Sequence, residues 1–147
     1  MREKRTQFSR RNFIGTTGAA ALSLSVAGRS SVLGANESVR LAVIGCGGRS
    51  GGLTERFSAA DNTAITVLCD PDTAQMESLV ARSAQKDIDI SKADHVQDYR
   101  KVLERDDVDA VIISSPNYWH SLHSIDAMAA GKDVYVEKPV SHSLWEG

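Results

Sequence analysis

From Val39 onward the chain alternates short runs of β-branched and apolar residues with longer stretches in which apolar positions recur every three or four residues. A strand shows its side chains with period 2 and a helix with period 3.6, so the two kinds of stretch read as strands and helices. The pattern predicts strands over Val39 to Ile44, Ala64 to Cys69, His95 to Gln97, Ala110 to Ser114 and Val134 to Glu137. Helices are predicted around Arg49 to Ala60, Thr73 to Gln85, Tyr99 to Glu104 and Ser121 to Ala130. Met76, Leu79 and Val80 in one helix, and Leu122, Ile125 and Ala129 in another, keep the spacing of a buried helix face. Strands that alternate with helices imply βαβ units and a parallel sheet. The predicted fold is therefore α/β, a doubly wound sheet of order 3-2-1-4-5.

The first 35 residues do not fit that pattern. Ser9-Arg10-Arg11-Asn12-Phe13-Ile14 follows a basic start and precedes a modest apolar run from Ala19 to Ala27. This is the arrangement of a twin-arginine export signal, and the run is short of the roughly 20 apolar residues that a spanning helix needs. Removal would follow Ala27 or Ala35, and residues 36–147 would then form one dinucleotide-binding domain in the periplasm. Proteins exported this way fold, and load their cofactors, before they cross.

The leader also changes the charge picture. It holds six basic residues against Glu3 alone, which leaves 11 basic against 18 acidic residues for the remainder of a chain of net charge −2. An acidic domain disfavours a nucleic-acid partner, since phosphate binding needs a basic face. With 41% hydrophobic and 24% charged residues, the 147-residue chain has the makeup of one ordinary globular core. Cys46 and Cys69 fall at the ends of neighbouring predicted strands and read as small buried side chains. Neither belongs to a C-x-x-C motif, so thiol redox and zinc chemistry are disfavoured.

Candidate chemistry collects at the carboxyl ends of the strands. Gly45-Cys46-Gly47-Gly48-Arg49-Ser50-Gly51 follows the first strand and opens a helix, the context of a dinucleotide loop. Gly45 permits the tight turn, Gly47 lets the backbone approach a pyrophosphate, and the helix start supplies amide groups. The third glycine of the usual motif falls at Ser50, which makes Gly45, Gly47, Gly48, Arg49 and Ser50 the candidates on this loop. Asp70 ends the second strand at about the spacing of the acid that accepts from an adenosine ribose, and Asp70-Pro71 would also cap the next helix. A carboxylate there repels a 2′-phosphate, and Pro71-Asp72 offers no arginine, so NAD is predicted over NADP. Ser115, Pro116, Asn117 and His120 follow the fourth strand and Glu137-Lys138-Pro139 ends the fifth, where the reversal of strand order opens a crevice.

Together with the glycine loop, residues 109–120, residues 130–139 and Trp145-Glu146-Gly147 closely resemble the Gfo/Idh/MocA oxidoreductases, above all exported bacterial members with twin-arginine leaders. The resemblance covers essentially all of residues 39–147. It implies that Lys138 is the active-site lysine, that Glu137 touches the nicotinamide ribose, and that Pro116, Asn117 and His120 line the nicotinamide end. It also implies a cis bond between Lys138 and Pro139, and acid and base groups on a second domain beyond Gly147. Ser143-x-x-Glu146 has the form of a capping box, as though a helix were starting there. The function implied is hydride transfer between NAD and a sugar, sugar acid or cyclic polyol, with Lys138 and His120 as catalytic candidates. A lysine whose charge is disfavoured by burial can share the hydroxyl proton. In a compartment poor in free dinucleotide the protein would keep its NAD through the cycle.

Other readings stay open. The NAD-dependent glycosidases of the same family return the hydride with no net redox change, and commonly lack a lysine at this place. A non-catalytic dinucleotide-binding or sugar-sensing protein is a third reading, and a methyltransferase-type nucleotide site is a fourth. His120 and His123 are three apart with no further ligand to complete a metal set, so no metal is predicted. Substrate identity and any homo-oligomer of a longer product are not legible in this chain.

Overall fold

A computed structural model describes residues 38–147. The leader read over residues 1–35 and both of its cleavage sites lie outside the described residues. The strands are β1 (Val39–Ile44), β2 (Thr63–Cys69), β3 (Asp94–Val96), β4 (Ala110–Ile113) and β5 (Asp133–Val136). The helices are α1 (Ser50–Ser58), α2 (Thr73–Ala84), α3 (Tyr99–Leu103) and α4 (His120–Ala129), the last preceded by a 3-10 turn at Asn117–Trp119. All strand pairs are parallel and the order is β3-β2-β1-β4-β5, as the alternating pattern predicts.

Both faces of the sheet are covered, which is why the consecutive residues Leu41 to Ile44 of β1 and Val111 to Ile113 of β4 are all apolar and buried. Along β1, Leu41 and Val43 face a core shared with Leu53 of α1 and with Met76 and Leu79 of α2. Ala42 and Ile44 face a second core, with Val102 of α3 and Ala127 of α4. The β1–β2 register shifts between Leu41 and Ala42, after which Ile44 pairs with Cys69 and the loops following β1 and β2 leave the sheet side by side. Among the described residues no helix is long and apolar enough to cross a membrane.

Helix starts follow local chemistry. Asp72 caps α2 by accepting from Ala74 N–H at 3.0 Å, and Asp98 caps α3 by accepting from Arg100 N–H at 3.0 Å. The cap of α2 is therefore Asp72 and not Asp70, whose carboxylate accepts instead from Asp72 N–H at 3.0 Å. At the amino ends of β1 and β4 Arg40 makes a two-pronged pair with Asp109, which lowers that carboxyl to about 2.

Two expectations are corrected. The buried face of α4 is formed by His120, His123, Ser124 and Ala127, whereas Leu122, Ile125 and Ala129 are exposed. Apolar spacing misled here because Ala127 allows close approach to the sheet and both histidine rings find buried polar partners, so this face is the one that packs. Ser143 and Glu146 do not start a helix. The Glu146 N–H bonds the Ser143 carbonyl at 3.2 Å, and the Glu146 carboxylate accepts from His142 N–H at 3.0 Å, which closes a turn.

Candidate functional site: a cleft at the carboxyl edge of the sheet

The reversal of strand order puts the loops after β1 and β4 against each other, and Gly45 is the point of contact. Its φ is +90°, and a Cβ built there would lie 2.4 Å from Ser115 N and 2.6 Å from Ser115 Cα. Only glycine tolerates both the conformation and the approach. The junction is tied by Ser114 Oγ donating to the Gly45 carbonyl at 2.7 Å and by Gly45 N–H donating to the Cys69 carbonyl at 2.8 Å. Gly47 and Gly48 differ in kind, since a Cβ at either meets nothing within 4 Å. Side chains are absent there to leave room beside the start of α1, which suits a pyrophosphate on the helix amide groups.

Ser50 stands where the usual motif has its third glycine, and it is fully buried with its hydroxyl donating to the Gly47 carbonyl at 2.5 Å. The departure thus closes the loop on itself. From below, Arg82 of α2 donates to the carbonyls of Cys46 at 2.9 Å and Gly47 at 3.2 Å. Sequence reasoning missed this cation, which lies far from the loop along the chain and meets it only through the packing of α2.

A cleft of about 770 Å³ opens at this edge, and Gly45, Gly47, Asp70, Ser115 and Pro116 line it. The Asp70 carboxylate accepts from Cys46 N–H at 2.8 Å with one oxygen and from Asp72 N–H with the other. It is thereby aimed while keeping lone pairs for a ribose. Gln97, Asp98, Tyr99 and Arg100 form a further wall that sequence reasoning also missed. The signal was available in the predicted strand order, because a 3-2 pairing puts the turn after β3 beside the turn after β2.

The remaining candidates stand at the end of β5. Arg49 spans from the glycine loop to Glu137, Nη2 to Oε1 at 2.7 Å, and this pair holds the buried Glu137 carboxyl below its usual range. Lys138 is exposed, so residues 38–147 do not supply the burial expected to disfavour its charge. The Lys138-Pro139 bond is cis. His120 is buried with both ring nitrogens 2.7 Å from backbone carbonyl oxygens, Nδ1 from Pro139 and Nε2 from Ser115. Neither nitrogen is left for a substrate, and the ring instead pins the loop after β4 to the segment carrying Lys138. Asn117 sits half-buried in the 3-10 turn between them.

His123 occupies the cleft wall, with Nδ1 3.1 Å from Ser115 Oγ and its ring stacked at 5.4 Å on Trp119. Burial pushes it down to about 4. Cys46 and Cys69 are free and buried, and burial raises both thiols to about 12, which keeps them protonated and inert.

The family model for oxidoreductases with an NAD-binding Rossmann fold, Gfo/Idh/MocA, matches residues 39–147. The chain belongs to this family. The family is one of oxidoreductases, the matched part is its NAD-binding Rossmann fold, and the open space over Gly47 and Gly48 fits such a cofactor. A glycosyl hydrolase family 109 protein of Shewanella sp. strain ANA-3 is 39% identical over 119 residues, which are 75% of this chain and 25% of that protein. A glycosyl hydrolase family 109 protein of Solibacter usitatus is 36% identical over 120 residues, 76% of this chain and 27% of its own. Among solved structures, the 3-ketoreductase KijD10 of Actinomadura kijaniata, in complex with NADP, superposes with a TM-score of 0.63 at 27% identity. It is matched over 75% of this chain and 33% of its own. An NAD-binding protein from Listeria innocua superposes with a TM-score of 0.62 at 32% identity, over 75% and 30% of the two chains. The chain thus spans about a quarter of the curated relatives it matches and a third of those structures.

The two glycines give a paired test. Gly45→Ala is expected to destabilise the fold by about 3 kcal/mol through backbone strain and collision with Ser115. Gly47→Ala should leave stability within about 1 kcal/mol while dinucleotide affinity falls about tenfold or more, as read by urea unfolding and titration calorimetry. Equal loss of stability in both variants would contradict the assignment.

For His123 the unfolded chain takes up its proton near pH 6.5 and the folded chain only near 4. Stability is therefore greatest above pH 6.5 and declines as pH falls toward 4. Imidazole resonances of His123 are expected to stay in the neutral form at pH 5, and a titration midpoint near 6.5 would show the ring to be solvated.

Proposed function

We propose that this chain is the cofactor-binding part of an NAD-dependent enzyme that moves a hydride to or from a sugar, sugar acid or cyclic polyol. The observation that carries the reading is the Arg49–Glu137 pair, which ties the glycine loop to the strand end bearing Lys138. Binding groups and a candidate proton-transfer group would thereby border one bound cofactor. Gly47, Gly48 and the amide groups at the start of α1 would hold the pyrophosphate, and Asp70 the adenosine ribose. Ser115, Pro116 and Asn117 would border the nicotinamide end, with Glu137 bonding its ribose. The bound cofactor supplies a hydride acceptor and donor. Lys138 takes the hydroxyl proton at Nζ as the hydride leaves carbon, and it acquires its low-dielectric surroundings only when substrate or further chain covers it. His120 acts as a positioning residue that holds Ser115 and Pro139 in place.

A second reading is favoured by one observation, the family 109 glycosyl hydrolase names of the relatives at 36–39% identity. In that case the same hydride is returned and a glycosidic bond is broken with no net redox change. The gene product carrying this sequence separates the two. Free sugars with NAD should give stoichiometric reduced nicotinamide, and Lys138→Met should lower that rate about a hundredfold or more. Release of an aglycone from glycosides without net reduced nicotinamide would overturn net oxidoreduction in favour of the glycosidase.

We further propose that the protein is exported folded, with NAD aboard, to the periplasm. Arg10 and Arg11 in their basic setting, followed by the short apolar run to Ala27, support this. Changing both arginines to lysine is expected to leave the protein in the cytoplasmic fraction, and undiminished export would contradict the twin-arginine route.

A further inference from the structure

The cleft beside Asp70 holds one permanent cation among the described residues that line it, and that cation is already engaged. Arg100 presents Nε to Asp98 Oδ1 at 2.9 Å and Nη2 to Asp98 Oδ2 at 3.0 Å, a two-pronged pair in which both carboxylate oxygens are used. Its guanidinium carbon lies 5.7 Å from the centre of the Tyr99 ring, and 71% of the side chain is exposed. Two bonds fix this wall against the ribose acid. Gln97 Nε2 donates to the Pro71 carbonyl at 2.9 Å, and Asp70 N–H donates to the Val96 carbonyl at 3.2 Å.

The charges facing a ligand here are the Asp70 carboxylate and the mutually neutralised Asp98–Arg100 pair, since His123 is neutral at pH 7. A ribose with a free 2′-hydroxyl meets an acceptor at Asp70. A 2′-phosphate meets that same negative charge, and the arginine that would answer it is held by Asp98.

We infer that Asp98 is a specificity-determining residue for the cofactor: by holding Arg100 it withholds the cleft's cation from a 2′-phosphate and so enforces NAD over NADP. Arg100 is thus a latent 2′-phosphate site, separated from use by one carboxylate. The assignment rests on the dinucleotide reading of the cleft and goes beyond it, because the discriminating pair comes from the turn after β3 and not from the residues that follow Asp70.

The charge of Asp98 can be removed without its structural role. Asparagine caps a helix as well as aspartate does, so Asp98→Asn keeps the bond from Arg100 N–H that starts α3. The experiment is calorimetric titration of NADH and NADPH into the full chain and into Asp98→Asn, Arg100→Met and the double variant, with thermal unfolding confirming that each is folded. The wild-type chain should bind NADH the more tightly. Asp98→Asn should improve the ratio of NADPH to NADH affinity about tenfold, the scale of one charge acting across a partly solvated gap. In the double variant the ratio should return only to about its wild-type value, because the Asp98 charge is gone but no cation remains to meet the phosphate. Arg100→Met alone should worsen the ratio by exposing the Asp98 carboxylate.

An unchanged ratio in Asp98→Asn would overturn the inference, as would a double variant whose ratio equals that of Asp98→Asn, which would show that the Arg100 cation does not reach the phosphate. Binding of neither nucleotide by the wild-type chain would instead overturn the reading of the cleft itself. Tighter binding of NADPH than NADH by the wild-type chain would show that Asp98 does not restrain Arg100.

Discussion

The approach of Gly45 to the backbone of Ser115 is the constraint on which the site depends. In a parallel sheet the loops beyond the carboxyl ends normally diverge with the helices that follow them, and they face one another only where the strand order reverses. Here β1 and β4 are neighbours at that reversal, and their exits meet closely enough that no side chain fits between. From that contact follow the direction in which the glycine loop leaves the sheet, the place where α1 begins, and the walls of the cleft. A residue with a Cβ at position 45 would push apart the two surfaces that a dinucleotide has to touch together.

Polar residues turn this scaffold into a site by holding one another. Arg82 holds two loop carbonyls from beneath, Arg49 reaches across to Glu137, and Asp70 is aimed by two backbone N–H groups. His120 links the loop after β4 to Pro139. Apart from the local bond from Asp72 N–H to Asp70, these are long-range contacts between different elements, and their value is in geometry more than in stability, since partly exposed ion pairs contribute about 1 kcal/mol or less. The same economy governs the pair at Asp98 and Arg100, where a carboxylate both starts a helix and decides what the adjoining cation can bind.

Much of the fold was legible in the chain. Five strands and four helices fell close to their predicted places, because strongly apolar runs bounded by Gly, Pro, Asp and Asn leave little choice of period or boundary. The loop glycines and Asp70 were legible for a similar reason, since each lies at a fixed offset from a strand end. What misled was burial on the last helix. Leu122, Ile125 and Ala129 have the spacing of a core face, yet the face that packs carries two histidines whose polar atoms are satisfied only by residues far along the chain.

The sequence by itself determined the α/β class, the strand order implied by its motifs, the glycine loop and the acid after the second strand, because these are written in local periodicity and spacing. Only the tertiary structure decided that His120 pins loops together and keeps no ring nitrogen for a substrate. It alone decided that Lys138 stands exposed in these residues, that Arg82 supports the loop and that Asp98 and Arg100 line the same cleft as Asp70. Each of those depends on which surfaces meet when the helices dock on the sheet, and a one-dimensional pattern carries no record of the partner that a side chain finds across tens of residues.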